Sequence, residues 1–99
     1  MTGEPFRKLS MFFPMWNEEA YIERAIGYAK EECELLIAAG QIIDYELIIV
    51  DDASTDNTAQ MADAMVAADP HVKVVHHPVN RKQGGPIKTG FAAATGEVV

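Results

Sequence analysis

The chain has 99 residues, of which 48% are hydrophobic and 23% charged, and it is long enough for one small globular domain but not for two. With 15 acidic and 8 basic residues its formal net charge is −7, which argues against general affinity for nucleic-acid phosphates. A single cysteine, Cys33, excludes an internal disulfide and predicts a reducing cytoplasmic setting. No apolar run approaches the roughly 18 residues that a membrane-spanning helix needs.

The first part of the chain predicts a strand followed by a turn. Residues 1–8 are polar and predict a frayed N-terminus ahead of a folded part at 9–99. Residues 9–13 are mostly apolar and are closed by Pro14, a pattern typical of a short strand. In the turn that follows, Asn17 is predicted to cap the first helix.

A helix and a strand come next, and both have clear patterns. Apolar residues recur at the i, i+3, i+4 and i+7 spacing of an amphipathic helix, and Gly40 ends the pattern. Residues 47–50, Leu-Ile-Ile-Val, then form a continuous apolar run that ends in Asp51 and Asp52. Such a run predicts a parallel strand buried on both faces. The apolar positions of the helix are Ile22, Ala25, Ile26, Ala29, Cys33, Leu36 and Ile37.

The rest of the chain continues the alternation of strands and helices. Asp56 or Ser54 is predicted to cap a second helix, which ends before Pro70. Residues 72–76 predict a third strand, and a third helix leads to the start of a fourth strand at 97–99. The order β-α-β-α-β-α-β predicts an α/β fold with a parallel sheet and helices on both faces. Because the fourth strand is truncated, we expect the first half of a larger α/β domain.

The turns after the first two strands carry the candidate functional residues. Parallel strands end at the same edge of a sheet, where open α/β folds bind their ligands. Trp16 offers a face for stacking on a planar ring, and the carboxylates of Glu18, Asp51 and Asp52 accept hydrogen bonds from ribose or a base. The loop at 80–85 leads into a helix N-terminus, which suits phosphate. Together these features predict a nucleotide site.

Each feature also has a structural interpretation. Asp51 can cap the turn, and Trp16 can pack in the core. Arg81 and Lys82 can be solvated loop charges. The pair at 76–77, His-His, does not predict a shared metal ion, because neighbouring residues of a strand point to opposite faces.

Three segments together resemble the N-terminal half of family 2 glycosyltransferases. These are inverting enzymes with the GT-A fold, and they include polyprenol-phosphate sugar transferases and polysaccharide synthases. The resemblance covers residues 9–99 and implies a three-layer, Rossmann-like parallel sheet. The three segments are PMWNEE at 14–19, ELIIVDDASTDNT at 46–58 and NRKQGGPIKTGFAAATGEVV at 80–99.

The resemblance implies a role for each matching residue in the two turns. Pro14 and Trp16 would line the nucleoside pocket, where Trp16 stands in place of the family's usual Tyr or Phe. Glu18 would lie near the nucleoside. Asp52 would contact the base edge or the ribose, and Asp51 would support the turn.

The resemblance also implies that Asn80, Arg81 and Lys82 belong to a loop that closes over the nucleotide. Lys82 stands where the family commonly has Gly, and Pro86 where it commonly has a small residue. The loop therefore departs from the family pattern at two positions.

For the whole protein, the resemblance implies transfer of a sugar, with inversion, from a nucleoside-diphosphate sugar to a lipid-phosphate or glycan acceptor. It implies Mg²⁺ or Mn²⁺ held by an Asp-x-Asp motif beyond Val99, with the general base also beyond it. No catalytic or metal-binding residue is then expected within this chain. We expect the chain alone to hold no ion and to be inactive. The protein would act in the cytoplasm or at the cytoplasmic face of a membrane.

Two other classes of function compete with a transferase. A receiver-like signalling domain also has paired acids in a parallel sheet, but its pair follows the first strand, whereas Asp51 and Asp52 follow the second. A non-catalytic α/β interaction module is the other alternative. The reason for this second alternative is that a truncated sheet exposes an edge with which another copy of the chain can pair, and a homodimer through that edge is a prediction for this protein.

Overall fold

A computed structural model describes residues 6–78 and 97–98. The strands and helices alternate as predicted, so the α/β class is confirmed; the predicted third helix lies outside the described residues. The elements are β1 (Phe6–Met15), α1 (Ile22–Ala38), β2 (Ile42–Asp51), α2 (Thr58–Ala68), β3 (Val72–His76) and β4 (Glu97–Val98).

The sheet is parallel, and its strand order is β3-β2-β1-β4. From β1 the chain adds β2 and then β3 on one side, and β4 pairs with the other side of β1. This is the Rossmann-like order, in which the reversal of direction opens a crevice at the carboxyl end of the first strand. The fold therefore places the ligand edge where β1 and β2 end.

The core lies between the sheet and the two helices. Tyr45, Leu47 and Ile49 alternate along β2, and all three are buried against α1 and α2 on the same face of the sheet. Two right-handed crossovers that advance in the same direction require this arrangement. Neither described helix is long and apolar enough to cross a membrane.

The amphipathic stripe on α1 is confirmed. Four of its residues are buried, and the other three pack against the cluster with part of their surface exposed. Cys33 is fully buried, and the burial raises the pKa of its thiol, so it behaves as a small core residue. The buried four are Ile22, Ile26, Ala29 and Cys33, and the partly buried three are Ala25, Leu36 and Ile37.

The predicted start of β1 was wrong, because the strand begins at Phe6 rather than at residue 9. Residues 6–8 therefore belong to the sheet and not to a frayed terminus. Phe6 pairs with Ile42 and Lys8 with Asp44, since β2 also begins earlier than its apolar run. Backbone hydrogen bonds extend both strands into polar sequence that the apolar pattern does not mark.

The predicted cap of α1 was also wrong. The helix begins at Ile22 with Tyr21 in the N-cap position, and the Tyr21 side chain makes no capping hydrogen bond. The turn before the helix closes on the carbonyl of Glu18, which accepts hydrogen bonds from the N–H groups of Tyr21 and Ile22. Asn17 lies outside the helix, and its side chain is used in a contact between the two turns.

Candidate functional site

The turns after β1 and β2 meet at the carboxyl edge of the sheet. The N–H of Asp52 donates to the carbonyl of Met15 at 2.8 Å, and the N–H of Asn17 donates to the hydroxyl of Ser54 at 3.0 Å. The two segments predicted to face one crevice are therefore in direct contact.

Asn17 fixes this contact from an unusual backbone conformation. Its φ is +52°, in the left-handed region that Asn tolerates better than most residues. From there its amide oxygen accepts the N–H of Thr55 at 2.7 Å and that of Asp56 at 3.3 Å. Its amide nitrogen donates to the Thr55 hydroxyl at 3.1 Å. The Asn17 side chain thus bonds to two consecutive residues of the opposing turn.

Asp56 and Thr58 join the same contact to the start of α2. Asp56 accepts the N–H of Thr58, the first residue of α2, at 2.9 Å, so it bonds to the helix start as predicted, although Asn57 is in the N-cap position. The Thr58 hydroxyl accepts the N–H of Glu18 at 2.9 Å. Burial opposes ionisation of Asp56, but the hydrogen bonds from Thr58 and Glu19 outweigh it and lower the pKa of the carboxyl.

Asp51 is 3% exposed and both of its carboxylate oxygens have partners. One accepts the N–H of Ser54 at 3.1 Å, and the other lies 2.8 Å from Nδ1 of His76. Asp51 thus holds the turn after β2 and joins it to β3.

His76 bridges two carboxylates that belong to different elements. Nδ1 lies 2.8 Å from Asp51 on β2, and Nε2 lies 2.8 Å from Asp63 on α2. Because an ionised carboxylate can only accept, both ring nitrogens must carry a proton to make both bonds. The hydrogen bonds with Asp63 and Asp51 accordingly raise the pKa of His76, against the effect of burial. The geometry is that of an imidazolium ion.

Asp52 has a histidine partner of its own. Its carboxylate is 3% exposed and lies 2.9 Å from Nδ1 of His77, which is 7% exposed. The N–H of His77 donates to the carbonyl of Asp51 at 2.9 Å, so the backbone fixes the position of the ring. A carboxylate as buried as this one is costly to keep charged without hydrogen bonds, and His77 supplies one.

Of the remaining candidate residues, some lie at the mouth of the site, and the others lie outside the described residues. Trp16 is 52% exposed beside the acidic turn, so the alternative of a core tryptophan was wrong and about half of its surface is accessible. Pro14 is exposed and Glu18 half-buried at the same edge. The predicted loop residues Asn80, Arg81 and Lys82 lie outside the described residues.

The role of the two histidines was missed at the level of the sequence, although a signal was present. Residues 48–52, at the end of β2 and just beyond it, are Ile-Ile-Val-Asp-Asp, and residues 73–77, at the end of β3 and just beyond it, are Lys-Val-Val-His-His. In the observed register Val50 pairs with Val75 and Asp51 with His76, which matches an alignment of the two similar segments. Treating the two histidines only as a metal candidate left this pairing unexamined.

The described residues do not fit a divalent cation. No group of three His, Cys, Asp or Glu side chains within residues 6–78 and 97–98 is arranged to hold a metal ion. The oxygens of Asp51 and Asp52 that lie nearest to β3 face imidazole nitrogens.

A family profile described as glycosyl transferase family 2 matches residues 10–99. The chain belongs to this family. Its paired acids follow the second strand of a glycosyltransferase domain, so the receiver-like alternative is not supported.

Relatives and solved structures agree with this assignment. The undecaprenyl-phosphate 4-deoxy-4-formamido-L-arabinose transferase of Yersinia pestis (strain Pestoides F) is 33% identical over 99 residues, a match that covers 98% of this chain and 28% of that protein. S. aureus TarS 1–349 in complex with UDP-GlcNAc superimposes with a TM-score of 0.70 at 27% identity, covering 93% of this chain and 25% of that one.

A third protein shows the same fold at lower identity. The mannosyltransferase PcManGT from Pyrobaculum calidifontis, in complex with GDP-Man and Mn²⁺, has a TM-score of 0.71 and 24% identity, with 95% of this chain and 26% of that one covered. The GT-A fold is therefore confirmed. The chain spans only 28% of the length of the Yersinia relative and 25% to 26% of these two structures.

Proposed function

We propose that the protein to which this chain belongs transfers a sugar, with inversion, from a nucleoside-diphosphate sugar to an acceptor. The described residues would hold the nucleoside. Membership of glycosyl transferase family 2 supports the class of reaction. The TarS structure, which is 27% identical and was obtained with UDP-GlcNAc, supports the class of donor.

One observation carries the assignment of the site, namely the contact between the turn of Trp16 and the turn of Asp52. Trp16 stacks on the base with its exposed indole face. Asp52 accepts a hydrogen bond from the base edge or from a ribose hydroxyl, while Asp51 keeps the turn in place. Pro14 forms a wall of the pocket, and Glu18 lies beside the nucleoside.

The diphosphate of the donor requires positive charge or backbone amides. We assign this role to Asn80, Arg81 and Lys82, which precede a glycine pair and a predicted helix start. A reacting diphosphate leaving group also needs a divalent cation, and the acceptor needs a general base. We assign Mg²⁺ or Mn²⁺ and the base to parts of the protein other than the described residues. This chain by itself would bind nucleotide without turnover.

The acceptor is proposed from the relatives. The Yersinia protein is described as an undecaprenyl-phosphate transferase, and on that basis we propose a polyprenyl phosphate for this protein, with a glycan as the alternative. A lipid acceptor would bring the reaction to a membrane surface, on its cytoplasmic side. The predicted homodimer through an exposed sheet edge is kept as a proposal, and sedimentation at several concentrations tests it. Within the described residues the two outer strands of the sheet are β3 and β4.

Nucleotide titration tests the site directly. Trp16 is the only tryptophan of the chain, so its fluorescence reports on the proposed pocket without interference from other indoles within the chain. UDP and GDP are titrated into wild type and Asp52→Ala, with calorimetry as a second measurement. We expect saturable quenching by one of the two nucleotides, and at least about tenfold weaker binding by Asp52→Ala.

Asp44→Ala is the matched control, because it removes an exposed carboxylate from the opposite end of the same strand. Its affinity should equal that of wild type. Equal affinity of wild type and Asp52→Ala would remove Asp52 from the site. If neither nucleotide binds, the proposed function loses its support in these residues.

A further inference from the structure

We propose that His76 and His77 are positioning residues for the acidic turn, and that His77 sets the orientation in which Asp52 meets the nucleoside. The inference rests on the proposed function, because it holds that residues at the end of β3 orient a carboxylate of the proposed nucleoside pocket. Neither histidine is proposed to touch the ligand.

The register of the sheet gives each acid one imidazole. Asp51 is paired with His76 at the end of the β2–β3 ladder, and Asp52 and His77, which directly follow the two strands, make a similar side-chain contact. The distances are 2.8 Å for Asp51 to Nδ1 of His76 and 2.9 Å for Asp52 to Nδ1 of His77. The same ring nitrogen is used in both pairs, which is the arrangement expected when backbone pairing sets the geometry.

A hydrogen bond to one oxygen determines where the whole carboxylate points. The terminal torsion of an Asp side chain has broad preferences, so an unrestrained carboxylate samples many orientations. The ring of His77 is itself restrained, because its backbone N–H donates to the carbonyl of Asp51 at 2.9 Å. Holding one oxygen of Asp52 at a fixed imidazole therefore fixes the direction of the other oxygen.

His77 is much more enclosed than the tryptophan of the proposed pocket. It is 7% exposed, whereas Trp16 at the mouth of the site is 52% exposed. A ring this enclosed acts on the ligand through Asp52. This is the distinction between a positioning residue and a binding residue.

His76 restrains the same turn from the other side. Its two carboxylate partners are Asp51 on β2 and Asp63 on α2, each at 2.8 Å. The imidazolium ion thereby ties the end of β2 to a helix as well as to β3. A shift of α2 relative to the sheet would be transmitted to the acidic turn.

The experiment uses paired substitutions of His77 in the protein that carries this chain, with affinities for UDP and GDP measured by calorimetry. Asn places an amide N–H near the position of Nδ1, so His77→Asn should keep the bond to Asp52 and bind within about twofold of wild type. His77→Leu and His77→Gln cannot place a donor there, and we expect affinity to fall about 5- to 20-fold.

His71→Leu is the matched control for loss of a histidine from the same segment. Like the other two histidines, His71 contacts a carboxylate, since its Nδ1 lies 3.1 Å from Oδ1 of Asp69. Its ring also stacks on Tyr45, with the ring centroids 4.0 Å apart. His71 lies just before the start of β3, however, at the end of the strand opposite to His76 and His77. Melting temperatures of all variants report on folding. His71→Leu should lower the melting temperature and leave nucleotide affinity unchanged.

A double substitution separates positioning from general stabilisation. If His77 acts through Asp52, then adding His77→Leu to Asp52→Asn should cause no further loss of affinity. A full additional loss in that background, or equal losses for His77→Leu and His77→Asn, would overturn the inference. So would wild-type affinity in both His77→Leu and His77→Gln when Asp52→Asn binds weakly. Wild-type affinity in Asp52→Asn would instead remove Asp52 from the proposed site, a result that counts against the proposed function.

Discussion

Buried carboxylates lie at two places along the chain: Glu46 is inside β2, whereas Asp51 is the last residue of β2 and Asp52 follows it. Glu46 is 1% exposed; its Oε1 lies 2.5 Å from Nζ of Lys73, and the hydroxyl of Ser10 donates to its Oε2. Asp51 and Asp52, each 3% exposed, have histidine partners instead. The two groups are equally buried, but their partners differ in chemistry.

The difference shows which buried acids indicate a site. Glu46 on β2 contacts Lys73 on β3 and Ser10 on β1, so it joins three strands inside the sheet. At the end of the strand, His76 bonds to Asp63 and Asp51, and these bonds raise the pKa of His76. Glu46 also lies about 16 Å from the ligand edge, at about 3.3 Å per residue of strand. Burial alone therefore does not distinguish the two groups, whereas position does, because only Asp51 and Asp52 lie at the carboxyl edge where we propose that the nucleoside binds.

The largest predicted effect is on the stability of the fold and not on nucleotide binding. Lys73→Met leaves the buried carboxylate of Glu46 without its nearest cation, and we expect the free energy of unfolding to fall by about 1–3 kcal/mol. Urea denaturation measures the loss. Lys8→Met, which removes a cation 3.9 Å from Glu46, should cost less. Nucleotide affinity of the folded protein should not change, and a loss of affinity in Lys73→Met would break the proposed division between the two groups.

The next prediction concerns the end of the strand. Asp51→Asn keeps an acceptor for the N–H of Ser54 but removes the charge that faces His76. We expect a loss of about 1–2 kcal/mol in the free energy of unfolding, because a charge-assisted hydrogen bond is replaced by a neutral one. Unlike Lys73→Met, this change should also weaken nucleotide binding. Calorimetry that found unchanged affinity would mean that the turn does not depend on Asp51.

The sequence was sufficient where the decisive interactions are local. The stripe on α1 and the third strand at Val72–His76 follow from spacing and from apolar composition, and both were predicted correctly. The meeting of the two turns followed from the rule that parallel strands end at one edge. In each case the required information lies within a few residues or in a general rule of topology.

What could not be predicted depends on a partner elsewhere in the chain. Residues 6–8, Phe-Arg-Lys, lie outside the apolar run of the first strand but extend β1 because β2 pairs with them. Asn17 resembles a helix cap in sequence, yet its amide binds Thr55 on the other turn. His76 and His77 acquire their roles only once the register with β2 is known. Contacts between distant segments decide all three cases.

A pH series sharpens the comparison. The pKa of His76 is raised above its ordinary value of 6.5, so the folded state binds the proton more tightly than the unfolded state. The stabilisation by His76 is therefore complete below pH 6.5 and is lost as the pH rises through the raised pKa. We expect the difference in urea midpoint between wild type and His76→Gln to shrink over that window. A difference that stayed constant or grew with pH would contradict the assigned imidazolium.

The smallest predicted effect has the opposite dependence on pH. Nζ of Lys30 lies 2.6 Å from Asp69, and this hydrogen bond, helped by His71 and opposed by burial, lowers the pKa of Asp69 from 3.8 to about 2. Its stabilisation is present above pH 3.8 and is lost as the pH falls towards 2. In Lys30→Met we expect a slightly lower urea midpoint at neutral pH, with the difference from wild type disappearing in acid.

Together, the pH series of His76→Gln and of Lys30→Met test whether the basic partner of a carboxylate determines how its contribution to stability depends on pH. An acid paired with lysine should lose its stabilisation at the acidic end, whereas the acids bridged by His76 should lose theirs as the pH rises from 6.5 through the raised pKa of His76. The proposed nucleoside site should therefore loosen in a pH range where the lysine pair is unaffected. If nucleotide affinity declines with the His76 stabilisation while the Lys30 contribution stays constant, the imidazolium controls the turn itself rather than the stability of the domain as a whole.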